Sequence, residues 1–91
     1  MSAISTEDIG GFLREYLLQK LKAQGRDLPA DYGDDCDLLL TGLIDSLGIL
    51  ELTVAINDYC GFEIDFEALD PEQMTIVGPL CRFVSLQTSE R

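Results

Sequence analysis

The sequence predicts an all-α fold, a single domain built as a bundle of four helices. Apolar residues recur at helical spacing through residues 6–24, 46–60 and 75–86, and capping residues stand at the start of these stretches. A fourth, shorter signal lies at Asp70-Pro71-Glu72-Gln73, which reads as a cap, a first-turn proline and a reaching Gln. Ninety-one residues make one small domain, with an expected ordered core of about 5–86 and no internal repeat or linker to divide it.

The first helix is expected to open at Ser5 or Thr6, with Glu7 and Asp8 suited to its positive end. Ile9, Phe12, Leu13, Tyr16 and Leu17 form its apolar face, and Gly25 stops it near Gln24. A long connection follows, from about Arg26 to Asp45, rich in Asp and Gly. A loop of that length needs packing of its own, which Leu38, Leu39, Leu40 and Leu43 are expected to supply.

The second helix should begin near Ser46 and end before Gly61. At 100° per residue, Ile49, Leu52, Thr53, Ile56 and Cys60 share one stripe, the expected core face. Leu47, Leu50 and Val54 fall opposite, among Glu51 and Asp58. So small a domain cannot easily bury both faces, so an apolar patch bordered by acids is expected, and such a patch marks a partner site. The alternative is that the long loop covers Leu50 and Val54. Thr75 is the expected cap of the last helix, whose inner face carries Ile76, Val77, Leu80, Phe83 and Val84. Pro79 requires that helix to start close to Thr75. Gln87 to Arg91 reads as a frayed tail.

Composition removes several function classes. Seventeen acidic against six basic residues give a net charge of −11, which disfavours nucleic acid and anionic membranes and suits basic protein partners. No apolar run approaches spanning length, and Met1-Ser2-Ala3 leads into polar residues, so neither a membrane segment nor a signal peptide is expected. Three cysteines without CxxC spacing suit reduced thiols and a cytoplasmic setting. With no histidine, Ser/His/Asp and Cys/His chemistry is excluded and no enzyme is expected. Asp31, Asp34, Asp35 and Asp37 lack the central Gly and terminal Glu of a calcium loop, so no metal is expected. Cys60 and Cys81 sit on expected inner faces.

One position stands apart. Ser46, between Asp45 and Leu47, falls at the mouth of an amphipathic helix, beside open backbone N–H groups and the positive end of the helix dipole. That setting favours a phosphate ester. Having no base of its own, the serine is expected to receive a group from another enzyme.

Asp45-Ser46-Leu47, followed by Glu51-Leu52, Ala55-Ile56 and Gly61-x-Glu63-Ile64, resembles the acyl and peptidyl carrier proteins that bear a 4′-phosphopantetheine arm. The resemblance covers nearly the whole chain: first helix, long loop, Asp-Ser-Leu, second helix, short third helix and last helix. It implies that a phosphopantetheinyl transferase attaches the arm of coenzyme A to Ser46, whose thiol then holds an acyl or aminoacyl cargo as a thioester. It also implies that Asp45, Leu47, Leu50, Glu51, Val54 and Asp58 face partners with basic docking surfaces, namely a cargo-loading ligase or acyltransferase and downstream synthase enzymes. Leu43-Ile44-Asp45-Ser46-Leu47-Gly48, with Leu69-Asp70-Pro71-Glu72, is more similar to freestanding carriers of specialised, polyketide or nonribosomal-peptide biosynthesis than to fatty-acid-synthesis carriers. A monomer is expected. Two readings of other classes stand beside this one: an interaction module that uses the Leu47/Leu50/Val54 face with Ser46 as a mere cap, and an acidic regulator phosphorylated on Ser46.

Overall fold

Helix α1 spans Thr6–Ala23 in the computed structural model, which describes residues 4–89; Met1 to Ala3, Glu90 and Arg91 lie outside it. Ser5 caps α1, its Oγ accepting from the Asp8 N–H at 3.1 Å, and Glu7 and Asp8 occupy the first turn. Ile9, Leu13, Leu17 and Leu21 recur every four residues and are all buried, so α1 presents one continuous leucine-rich stripe to the core. The turn after Gln24 needs a left-handed residue, and Gly25 supplies it at φ 72°.

Helix α2 spans Ser46–Cys60 and helix α3 spans Val77–Ser89. Gly61, at φ 83°, ends α2. Asn57 Oδ1 then takes the Ile64 N–H at 2.9 Å, folding the following segment back so that Ile64 enters the core. Helices α1 and α3 pack against each other in opposite directions. Ile4 N–H donates to Thr88 Oγ1 at 3.0 Å, and the Ser85 hydroxyl donates to Ile4 O at 2.7 Å. Helices α1 and α2 are joined by side chains, through Phe12 stacked on Tyr59 at 4.4 Å and Lys20 paired with Glu51.

The expected bundle of four helices is not what forms. The described residues make three α-helices, and between α2 and α3 lie only a 3-10 turn at Phe66–Ala68 and hydrogen-bonded turns at residues 71–75. Asp70 does cap a turn, its Oδ1 accepting from Glu72 N–H at 3.0 Å, but Pro71, Glu72 and Gln73 are all exposed. Without an apolar stripe to bury, a single turn does not propagate into a helix. The 3-10 turn is held from outside, by Phe66 against Phe83 of α3. At the other end, Gln87 to Ser89 continue α3 rather than fray, because Thr88 and Ser85 bond to Ile4.

The long connection is fastened to the start of α3. Leu38 N–H donates to Thr75 O at 2.7 Å, Val77 N–H to Cys36 O at 3.0 Å and Gly78 N–H to Asp34 O at 2.8 Å. Two amides at the opening of α3, which have no partner inside a helix, are thereby satisfied by carbonyls of the loop. Asp37 and Ile76 form an isolated antiparallel bridge here, and no strand forms among the described residues. The fit at Gly78 is close, since a Cβ there would stand 3.0 Å from both Asp34 Cβ and Asp34 O. Thr75 is thus a loop anchor just ahead of α3.

Of the four loop leucines, Leu38 and Leu43 are buried, whereas Leu39 is exposed and Leu40 is 87% exposed. Asp37 turns the chain sharply enough to split them. Its Oδ1 accepts from both Leu39 and Leu40 N–H at 3.0 and 3.1 Å, and its carbonyl takes Thr41. The Leu40 N–H above all, together with the Thr75 hydroxyl and the Leu39 N–H, holds the Asp37 carboxyl below its ordinary value.

The buried face of α2 is the expected one for Ile49, Leu52 and Ile56, while Thr53 and Cys60 are only half-buried. Ile56 is 1% exposed and Val54 60%. Ile56→Ala is therefore expected to destabilise by about 2–5 kcal/mol, and Val54→Ala by less than about 0.5 kcal/mol. Urea denaturation of both variants checks the pair, and equal losses would contradict the facing of α2.

Candidate functional site

Asp45 has extended backbone, φ −98° and ψ −175°, and its side chain turns back over the helix start. Its Oδ1 accepts from Gly48 N–H at 2.7 Å and its carbonyl from Ile49 N–H at 3.0 Å. Asp45 is the N-cap of α2, so Ser46 is its first residue and not its cap. Gly48 belongs to the same fit, because a Cβ there would lie 3.0 Å from Ile44 Cβ and 3.2 Å from Asp45 Oδ1. A short, negatively charged cap suits the positive end of the helix.

This arrangement frees the serine. Ser46 is exposed, and its hydroxyl makes no hydrogen bond within the described residues. Leu47, Leu50 and Val54 stand at 65%, 62% and 60% exposure along the same helix. Their spacing, i, i+3 and i+7, lays them in one line leading away from Ser46. The long loop covers none of them. Asp58 is exposed beyond Val54, so the line is apolar with an acidic border.

Glu51 has a partner that periodicity could not reveal. Lys20 Nζ of α1 lies 3.3 Å from Glu51 Oε2, and the same ammonium sits 5.7 Å from the centre of the Tyr16 ring. The Glu51 carboxylate first, and Tyr16 after it, raise the Lys20 pKa above its ordinary value. Both side chains are exposed, so the pair orients more than it stabilises. Glu51 is accordingly turned toward α1, leaving Asp58 as the unpaired acid on the α2 border.

On the α1 side of Ser46 a groove of about 240 Å³ opens between the end of α1 and the start of α2. Tyr16, Lys20, Gln24 and Arg26 form one wall, and Gly42, Asp45, Leu47, Gly48 and Glu51 are among the residues of the other. Arg26 bridges its mouth, donating to Gln24 Oε1 and to Gly42 O, both at 3.1 Å. Neither the groove nor Arg26 carries a sequence signal, since the residues come from segments roughly twenty positions apart.

Two of the three thiols and one tyrosine are disfavoured as nucleophiles by burial. Burial pushes the Cys81 thiol up to about 11 and raises Cys60 as well, which disfavours the thiolate at both. Burial likewise pushes Tyr32 up to about 12. Among the described residues no group of three or more His, Cys, Asp or Glu is placed to hold a metal ion. No helix among them is long and apolar enough to cross a membrane. Comparison with protein-family models, with curated proteins and with solved structures returns no match.

The division of labour at the helix start is measurable. Asp45→Ala removes the acceptor for Gly48 N–H and is expected to lower stability by about 0.5–2 kcal/mol. Ser46→Ala removes no hydrogen bond and should change it by less than about 0.5 kcal/mol. Thermal and denaturant unfolding of the two variants checks this. A larger loss for Ser46→Ala would return the cap to the serine.

Proposed function

We propose that the chain is a carrier domain, with Ser46 as the attachment point for a 4′-phosphopantetheine arm. The observation that carries this reading is the cap. Asp45 takes over the structural task that would otherwise explain a serine at a helix start, and the Ser46 hydroxyl is left exposed and unbonded next to an uncovered apolar line. The residues fit the group: Ser46 offers the hydroxyl, and the Ser46 and Leu47 amides at the open end of α2 suit the charge of a phosphodiester.

Attachment forms a bond from Ser46 Oγ to the arm's phosphorus while the pyrophosphate P–O bond of coenzyme A breaks. The leaving group is adenosine 3′,5′-bisphosphate, and the hydroxyl proton passes to a base on the phosphopantetheinyl transferase. When bound, the arm supplies a terminal thiol that holds an acyl or aminoacyl group as a thioester. The chain itself contributes position. Leu47, Leu50 and Val54 give a partner enzyme an apolar foothold, while Asp58 and the overall charge of −11 favour encounter with basic surfaces. The resemblance of residues 43–48 and 69–72 to freestanding carriers supports a place in specialised biosynthesis.

Intact-mass measurement after incubation with a promiscuous phosphopantetheinyl transferase and coenzyme A tests the reading. One phosphopantetheine adduct is expected on the wild-type chain and none on Ser46→Ala. An adduct that persists in Ser46→Ala would overturn the site. No adduct on either would leave the Leu47/Leu50/Val54 face as the contact surface of an unmodified interaction module.

A further inference from the structure

We propose that the groove on the α1 side of Ser46 is the resting site of the arm, holding its amides and a short polar cargo against α1. The inference rests on the carrier reading above. The groove is placed for it: Asp45 and Leu47, the two chain neighbours of Ser46, both line it, and Tyr16, Lys20, Gln24 and Arg26 form the facing wall. Ser46 itself does not line the groove, so an arm on its exposed hydroxyl reaches it by turning over the start of α2, past Asp45 or Leu47.

The lining also suits the chemistry of the arm, which is a phosphodiester followed by a hydroxyl and two amides. Such a chain needs donors for its phosphate and carbonyl oxygens and tolerates little negative charge. Arg26 has five N–H donors, of which hydrogen bonds to Gln24 and Gly42 use two. The Lys20 ammonium gives one of its three N–H groups to Glu51. Two of the six cations of the whole chain thus line one groove, where they balance Asp45 and Glu51 in a molecule of net charge −11. A phosphodiester is not repelled there.

The interior offers no equivalent. Leu13, Leu17, Leu52, Ile56 and Val84 are each at most 1% exposed and pack against one another. Seating a long alkyl chain among them would require a close-packed core to part. A polar groove at the surface therefore selects for short, hydrogen-bonding cargo over long alkyl cargo.

The test compares amide NMR spectra of uniformly 15N-labelled protein before and after attachment of the arm, with complete attachment verified by intact mass. The expected result is that the Gln24, Arg26 and Gly42 amides shift on attachment, along with those next to Ser46. In an Arg26→Ala/Gln24→Ala variant taken to complete attachment, the change between unmodified and modified spectra should shrink to the residues next to Ser46. Full adduct mass with Gln24, Arg26 and Gly42 unmoved in the wild-type protein would overturn the groove and leave the carrier reading standing. Absence of the adduct would overturn both.

Discussion

Three backbone hydrogen bonds between the long loop and the start of α3 are the constraint on which the rest of the structure depends. Leu38 to Thr75, Val77 to Cys36 and Gly78 to Asp34 join segments some forty residues apart. They satisfy α3 amides that would otherwise need a side-chain cap, and they fix the loop against the body of the domain. Once Leu38 is held, its side chain is fully buried and its carbonyl takes the Ile44 N–H at 3.1 Å. Leu43 is buried next to it, and Asp45 follows directly as the cap of α2. The position of Ser46 is in this sense set from the far end of the chain.

The start of α2 then divides two tasks between adjacent residues. A carboxylate at Asp45 satisfies the helix amide, so the hydroxyl at Ser46 has no structural duty. Gly48 permits this arrangement by its lack of a Cβ, since Ile44 and the Asp45 carboxylate crowd that space. The same helix keeps Ile49, Leu52 and Ile56 in the core and leaves Leu47, Leu50 and Val54 in solvent. Leaving three large apolar groups wet forgoes roughly 1.5–3 kcal/mol for each that could have been buried, which is a sizeable fraction of the stability of a small domain. An exposed apolar line of that kind is what the proposed carrier function would use as its foothold.

What was legible in the sequence was whatever depends on local side-chain pattern. Ile9, Leu13 and Leu17 on the inner face of α1, a cap at Ser5 or Thr6, the stop at Gly61 and the two faces of α2 all follow from spacing. Leu21 and the choice of Ser5 came only from the structure. Tertiary contacts were not legible. The bonds from the loop to α3 run through backbone groups, which every residue carries, so no residue type announces them. An unbroken run such as Leu38-Leu39-Leu40 has no periodicity to show which member turns inward, and Asp37 decides it through its hydrogen bonds. At Asp70 to Gln73 the cap at Asp70 forms, the reach of the Gln73 side chain does not form among the described residues, and the segment lacks the apolar stripe that would have made a helix of it. Asp45 and Ser46 are both good capping residues, so only the structure distinguishes the cap from the free hydroxyl. Lys20 and Arg26 come from outside α2, and pattern along one helix cannot see them.

The dependence of the serine's placement on the contact with α3 is open to direct measurement by amide hydrogen exchange in Gly78→Ala. The added Cβ must push Asp34 away from α3. Exchange at Leu38, Ile44 and Ile49 should accelerate together, by a common factor, while amides in the middle of α1 exchange as before. If Leu38 loses protection and Ile49 keeps it, the start of α2 is held independently of the loop, and the contact with α3 does not place Ser46.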